Sequence, residues 1–223
     1  MLKRIVAVAG LLVLAGSVPA FAQDSKVEVS ATIGWAFSDG VSADTPVLAP
    51  DGNIYDRVDP KDSFLWGLTG GVNVTENAEV GFMWTQQMSS LLVGGTNERD
   101  LGDMTVSTYH GYFAYNFFPS DSTVRPFLLI GLGATDFGDV DATLLGADRT
   151  IKGASQFSST WAAGVKAFPN PRVGFRGQMR WTPTYIKTDA AGWWCDPFWG
   201  CYLVGNAQYS NQFTFEGGVT FRF

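Results

Sequence analysis

Charge is scarce in this chain. Only 16% of its 223 residues are Asp, Glu, Lys or Arg, against about 25% in an ordinary soluble domain. Chains that stay unfolded are charge-rich and poor in aromatics, so the 8 Trp, 7 Tyr and 17 Phe present here exclude disorder. Basic residues number 15 against 21 acidic ones, which leaves no cationic footprint for phosphates and argues against a nucleic-acid partner. Histidine occurs once, at His110, and cysteine twice, at Cys195 and Cys201. That is too few ligands, too far apart in sequence, for a metal centre, and no cofactor is expected. Beyond the amino terminus no stretch approaches the ~18 consecutive apolar residues of a spanning helix. Long helical periodicity is lacking as well.

Lys3 and Arg4, the apolar run from Ile5 to Ala15, and the sequence Ala20-Phe21-Ala22 have the layout of a secretory leader. Residues 1–22 are therefore expected to be removed on export, leaving 23–223 as a single domain. In an exported chain oxidation is the default, so Cys195 and Cys201 are expected to form a short-loop disulfide.

The remainder alternates apolar with small or polar residues, the mark of strands with two unlike faces. Eight strands are predicted, at 26–37, 63–74, 78–88, 104–117, 124–135, 156–168, 172–185 and 207–223. The turns at 75–77, 118–123 and 169–171 are tight, whereas 38–62, 89–103, 136–155 and 186–206 are long. Short turns on one side and long loops on the other fit an all-β, eight-stranded antiparallel up-and-down transmembrane barrel, turns in the periplasm and loops outside.

One parity carries Val29, Ile33, Trp35, Phe64, Trp66, Phe82, Trp84, Phe113, Leu128, Ile130, Trp161, Phe175, Trp181 and Phe215, with no charge among them. The other carries Gly34, Gly67, Gly81, Gly131, Gly164 and Gly218 and nearly all the strand charges. The competing architecture is a soluble barrel with the bulky face inward. An eight-stranded interior is only wide enough for side chains to fill it and could not hold so many rings, so the bulky face is assigned to lipid. Trp35, Phe37, Phe64, Trp66, Trp84, Trp181 and Tyr185 then fall near the outer interface. Phe117, Phe221 and Phe223 fall near the inner one, as aromatic girdles require.

From Thr105 to Thr135 the chain reads TVSTYHGYFAYNFFPSDSTVRPFLLIGLGAT. This resembles the central hairpin of small OmpA/OmpX-like, opacity-type outer-membrane barrels. The final segment, Phe213 to Phe223 (FTFEGGVTFRF), is similar to the closing strand of bacterial outer-membrane proteins in general. The resemblance implies residence in the bacterial outer membrane, contact with its lipid and lipopolysaccharide, and handling by the barrel-assembly machinery. Phe213, Phe215, Val219, Phe221 and Phe223 would carry the assembly signal.

Within the barrel, Glu28, Glu79, Lys166 and Arg176 are expected in the periplasmic half, with Arg180 and Glu216 higher. Unpaired charges in a narrow interior cost several kcal/mol each, so an ion-paired plug that fixes strand register is expected; a gate opening a narrow conduit for small solutes is the alternative. Arg222, at the periplasmic mouth, is expected to be solvated. A lipid-modifying enzyme is a further alternative. His110 has no hydroxyl at the two-residue spacing of lipid A deacylases, and Ser107 points to the opposite face, so His110 is read as a non-catalytic interior residue and the protein as no enzyme. Asp51 to Asp56 hints at calcium but mismatches an EF-hand loop; a solvated acidic loop is expected. In the fourth loop Trp193, Trp194, Phe198, Trp199 and Tyr202 surround the cysteines. They form a candidate surface for an extracellular ligand, or an anchor in the headgroup region.

Overall fold

The computed structural model describes residues 27–48, 54–95, 98–144, 147–186, 195–196, 200–201 and 208–223. The leader, the acidic stretch Asp51–Asn53 and the aromatic residues Trp193, Trp194, Phe198, Trp199 and Tyr202 lie outside them. The described residues form fourteen strands: β1 (Val27–Asp39), β2 (Val41–Leu48), β3 (Ile54–Pro60), β4 (Ser63–Asn73), β5 (Ala78–Gly95), β6 (Arg99–Asn116), β7 (Val124–Phe137), β8 (Val140–Leu144), β9 (Ala147–Ile151), β10 (Ser155–Ala167), β11 (Val173–Ile186), β12 (Cys195–Asp196), β13 (Gly200–Cys201) and β14 (Gln208–Arg222).

Eight of these form the barrel, each hydrogen-bonded antiparallel to its neighbour in the order β1, β4, β5, β6, β7, β10, β11, β14 and back to β1. Closure lets every strand edge meet a partner, the condition for backbone to cross hydrocarbon. The seam is complete to its end, where Val27 and Phe223 exchange backbone hydrogen bonds of 3.1 and 2.9 Å. Thr75 fastens one periplasmic turn, its hydroxyl accepting from the backbone of Asn77 and Ala78.

Side chains alternate as the pattern requires. Ile33, Leu132, Phe175 and Phe215 are each about 60% exposed on the outer face, whereas Thr32, Thr160, Thr214 and Thr220 are buried in the lumen. Trp66 and Trp84 meet edge to face on the outside, ring centres 4.7 Å apart, and Trp181 stacks on Phe213. The greasy, bulky face is outward and the small and charged face inward.

The long connections depart from the expectation of loops. Residues 41–48 and 54–60 form a hairpin that continues β1 and β4 beyond the bilayer, with β3 pairing onto β5. β5 and β6 run on to Gly95 and from Arg99, and β8 pairs with β9. Strict alternation ends near residue 88 because outside the lipid neither face must be uniformly apolar, so the strands outlast their signal. A bulge where Leu91 and Leu92 oppose Gly102 and Asp100 re-aims the β5–β6 ribbon. Gly102 sits at φ +150 there, a conformation that favours glycine.

Glycines divide by face. At Gly133 a Cβ would overlap the Tyr109 carbonyl oxygen of the next strand, whereas at Gly217, on the lipid side, it would meet nothing within 4 Å. Gly133→Val is expected to cost about 1–3 kcal/mol through overpacking and Gly217→Val to stay within about 0.5 kcal/mol, measured by urea unfolding in phospholipid vesicles.

Candidate functional site: the barrel lumen

At the periplasmic end acids and bases face each other across the lumen. Arg125, Lys166 and Arg176 occupy directly paired positions on β7, β10 and β11, forming a cationic row on one wall. Glu28 on β1 and Glu79 on β5 come from the opposite wall. Glu28 accepts from Arg125 Nη1 at 2.9 Å, Lys166 Nζ at 2.6 Å and Arg222 Nη2 at 3.0 Å. Asn73 Nδ2 is a fourth donor residue, at 3.2 Å. Lys166 also pairs with Glu79, whose other oxygen accepts from the Tyr112 hydroxyl at 2.6 Å. Arg222 reaches the Ser120 carbonyl at 2.7 Å and lies 3.6 Å from the Phe168 ring centre. One carboxylate thus ties together side chains from β1, β4, β7, β10 and β14.

A second pair lies farther up. Arg180 Nη2 contacts Glu216 Oε1 at 2.9 Å, both side chains essentially buried. The guanidinium also donates to Thr85 Oγ1 on the far wall at 3.1 Å. Glu216 accepts in turn from Thr32, Thr214 and Gln178. Above it comes a hydroxyl layer. His110 Nε2 is 2.9 Å from Ser158 Oγ, and Ser158 joins Thr135 and Thr184 in a chain of 3.0 Å bonds. Gln87 and Gln212 then meet across the lumen.

The extracellular mouth is of another kind. Val41, Val58, Leu91, Met104, Val106, Phe137, Val140 and Ile186 pack into one buried apolar cluster, drawn from the extensions as much as from the barrel. From inside to outside the lumen therefore runs from ion pairs, through hydroxyls and amides, to hydrocarbon.

All six expected lumen charges are buried inside the barrel. Glu28, Glu79 and Lys166 share one cluster and Arg180 pairs with Glu216, but Arg176 joins no ion pair among the described residues, its Nε donating to Gln178 Oε1 at 2.9 Å instead. Arg222 is corrected from solvated to buried: Phe168 and Ser120 cover it and Glu28 draws it in. Sequence reasoning passed over Arg125, although Leu128 and Ile130 fix its parity as inward, and over Tyr112, two residues from His110 on the same face. A search confined to the histidine's own strand also missed Ser158, which the ladder brings in from β10. Among the described residues the pair lacks an orienting acid, since none of them hydrogen-bonds His110 Nδ1, and both side chains are buried. Phe213, Phe215, Phe221 and Phe223 face outward on or just after β14, with Val219 half-buried among them. Cys195 and Cys201 are directly opposed in the β12–β13 ladder.

Removing Glu28 leaves buried Arg125 and Arg222 without an acid and Lys166 with Glu79 alone, and breaking a buried pair costs about 3–5 kcal/mol. Glu28→Ala is expected to lose at least that much stability in urea titrations followed by tryptophan fluorescence. Lys152→Ala, which breaks an exposed pair with Asp139 at 2.6 Å, is expected to leave the urea midpoint essentially unchanged, because solvent screens such a pair.

In fold the chain is similar to the outer membrane protein OprG of Pseudomonas aeruginosa, at 15% identity and TM-score 0.64 over 90% of this chain and 97% of that one. Neisserial surface protein A matches at 15% identity and TM-score 0.56, covering 90% of this chain and 100% of that one. The outer membrane protein AlkL matches at 12% identity and TM-score 0.52, covering 93% and 95%. At such identities the likeness is one of fold. No curated protein matches the chain in sequence. The outer membrane protein beta-barrel domain, however, matches residues 8–223. With its closed wall and lipid-facing girdle, the chain belongs to that family and is an integral β-barrel of the bacterial outer membrane.

Proposed function

We propose that this barrel is a non-conducting scaffold, not an enzyme, whose extracellular segments form a recognition surface for an outside ligand. The observation that carries this reading is the double seal of the lumen, ion pairs at the periplasmic end and an apolar cluster at the outer mouth. An eight-stranded barrel has no spare width for a water column once long side chains fill it. In planar bilayers the purified protein is expected to show no stable unit conductance. A unit conductance altered by Glu79→Ala would establish the gated-pore alternative instead.

In this reading the aromatic fourth loop is the contact surface, stapled by a Cys195–Cys201 disulfide. Opposed positions in an antiparallel pair stand about 4.5–5.5 Å apart, within the Cα separation a disulfide spans, and export exposes both thiols to oxidation. Cys195→Ser with Cys201→Ser is expected to reduce adhesion to cells or lipopolysaccharide several-fold while the heat-modifiable band on gels is unchanged. Equal adhesion by both proteins would refute the stapled surface. Lipid A mass spectra are expected to be identical with and without the protein; loss of an acyl chain that depends on His110 and Ser158 would make it a lipid-modifying enzyme. The mature chain is proposed to begin at Gln23, which amino-terminal sequencing of the membrane-extracted protein checks.

A further inference from the structure

The lipid-facing wall is not evenly covered. Outward side chains on neighbouring strands fall into rows across the ladders, and two successive rows enclose a depression. Trp161, Trp181 and Phe213 are directly paired across β10, β11 and β14 and form the upper row. One step nearer the periplasm, Leu128, Ala163, Met179 and Phe215 are paired across β7, β10, β11 and β14. Between the rows lies an open groove of about 610 Å³, within the roughly 300–1,000 Å³ of ordinary ligand sites.

Its walls are apolar and held in place. Trp181 stacks on Phe213 with ring centres 6.3 Å apart, and its Nε1 donates to Asn211 Oδ1 at 3.1 Å. Ala163 is the one small outward side chain lining the groove, which broadens there between Leu128 and Met179. The groove also rises across the wall. Its β6 end is at Tyr115, next to the periplasmic end of that strand, whereas Trp181 and Phe213 lie in the extracellular halves of β11 and β14.

We propose that this groove holds one acyl chain of a lipid A molecule of the outer leaflet as a resident lipid. The barrel's interface with the bilayer runs into the groove without a polar break, so hydrocarbon is the chemistry that fills it. Inside a membrane no water is displaced, and selectivity comes from van der Waals packing. A chain between two rows touches side chains on both flanks, whereas one on the open wall touches them on a single side. The rows curve with the barrel, so the occupant has to bend; a fatty acyl chain does so and a fused-ring lipid does not. The upper end, at Trp181 and Asn211, meets the outer headgroup level, which selects lipid A over an inner-leaflet phospholipid. A second copy of the chain fits less well. Two-fold contact sets the same patch against itself, and two facing grooves enclose a void.

The test is native mass spectrometry of the protein extracted from outer membranes in detergent. One lipid A molecule is expected to stay bound to the wild-type protein at activation energies that strip phospholipid. Ala163→Phe, which fills the middle of the groove, is expected to lower that occupancy roughly tenfold. Gly70→Phe is the control: it lies on the lipid face of β4, where a Cβ meets nothing within 4 Å, and is expected to retain the lipid. Absence of bound lipid on the wild-type protein, equal retention by Ala163→Phe, or phospholipid kept in preference to lipid A would each overturn the proposal. So would a lipid-free dimer that Ala163→Phe disrupts. Should Ala163→Phe fail to give the heat-modifiable band, Met179→Ala, which removes part of the lower wall, takes its place. Weakened retention then supports the groove and unchanged retention refutes it.

Discussion

Everything inside this barrel answers to one constraint: an eight-stranded cylinder is too narrow to hold bulk water and too wide to be filled by backbone. Long side chains must cross it, and crossing chains that carry charge must end on a charge of the opposite sign. The solution at the periplasmic end is to place Glu28 and Glu79 on one wall and Arg125 and Lys166 on the other, so that their bridges span the bore. Walls made of neighbouring strands are already held by hydrogen-bond ladders. The bridges add what ladders cannot, a link between strands half a circumference apart. Glycine makes room for them. A Cβ at Gly71 or Gly81 would strike Tyr112, one at Gly164 would strike Phe127 and one at Gly174 would strike Phe168. Each of these four glycines is thus a socket for a large neighbour, and the small-residue face around them is a negative image of the rings packed on it.

The upper third follows different physics. Above the bilayer the strands continue with water on both sides, and stability there returns to ordinary burial of apolar groups. The cluster around Leu91, Met104 and Phe137 has the character of a soluble protein's core, although it sits in the mouth of a membrane protein. Polar contacts around it are local and exposed, such as Arg57 with Asp39 and Asp59. Hydrogen bonds from Lys152 and the Gly153 backbone hold the Asp139 carboxyl below its usual value. The three zones of the lumen match the surroundings at each depth.

Much of this was legible in the sequence because lipid imposes a rule on alternate residues. The parity of Ile33, Trp66, Phe82 and Phe175 fixes strand count, orientation and the inward set without knowledge of any contact. The rule fails in two places. Beyond residue 88 the lipid no longer enforces alternation, so the extensions of β5 and β6 and the hairpin of β2 and β3 read as loops. Contacts across the bore also have no local signature. Glu28 and Arg125 are 97 residues apart and His110 and Ser158 are 48 apart, and their meeting depends on curvature that no window of sequence contains. Arg125 was available from parity alone; its bond to Glu28 was not.

The seam between β1 and β14 has a bearing on biogenesis. Ser30 and Thr220 share a hydrogen bond across 190 positions, and the Glu28–Arg222 bridge spans the same gap. The first strand to leave the ribosome waits for the last, and until it arrives both edges present unsatisfied amides and carbonyls. Such edges invite pairing with other chains, and contacts of such long range are slow to form. Protection of both edges until the two ends meet is therefore a need built into the topology itself.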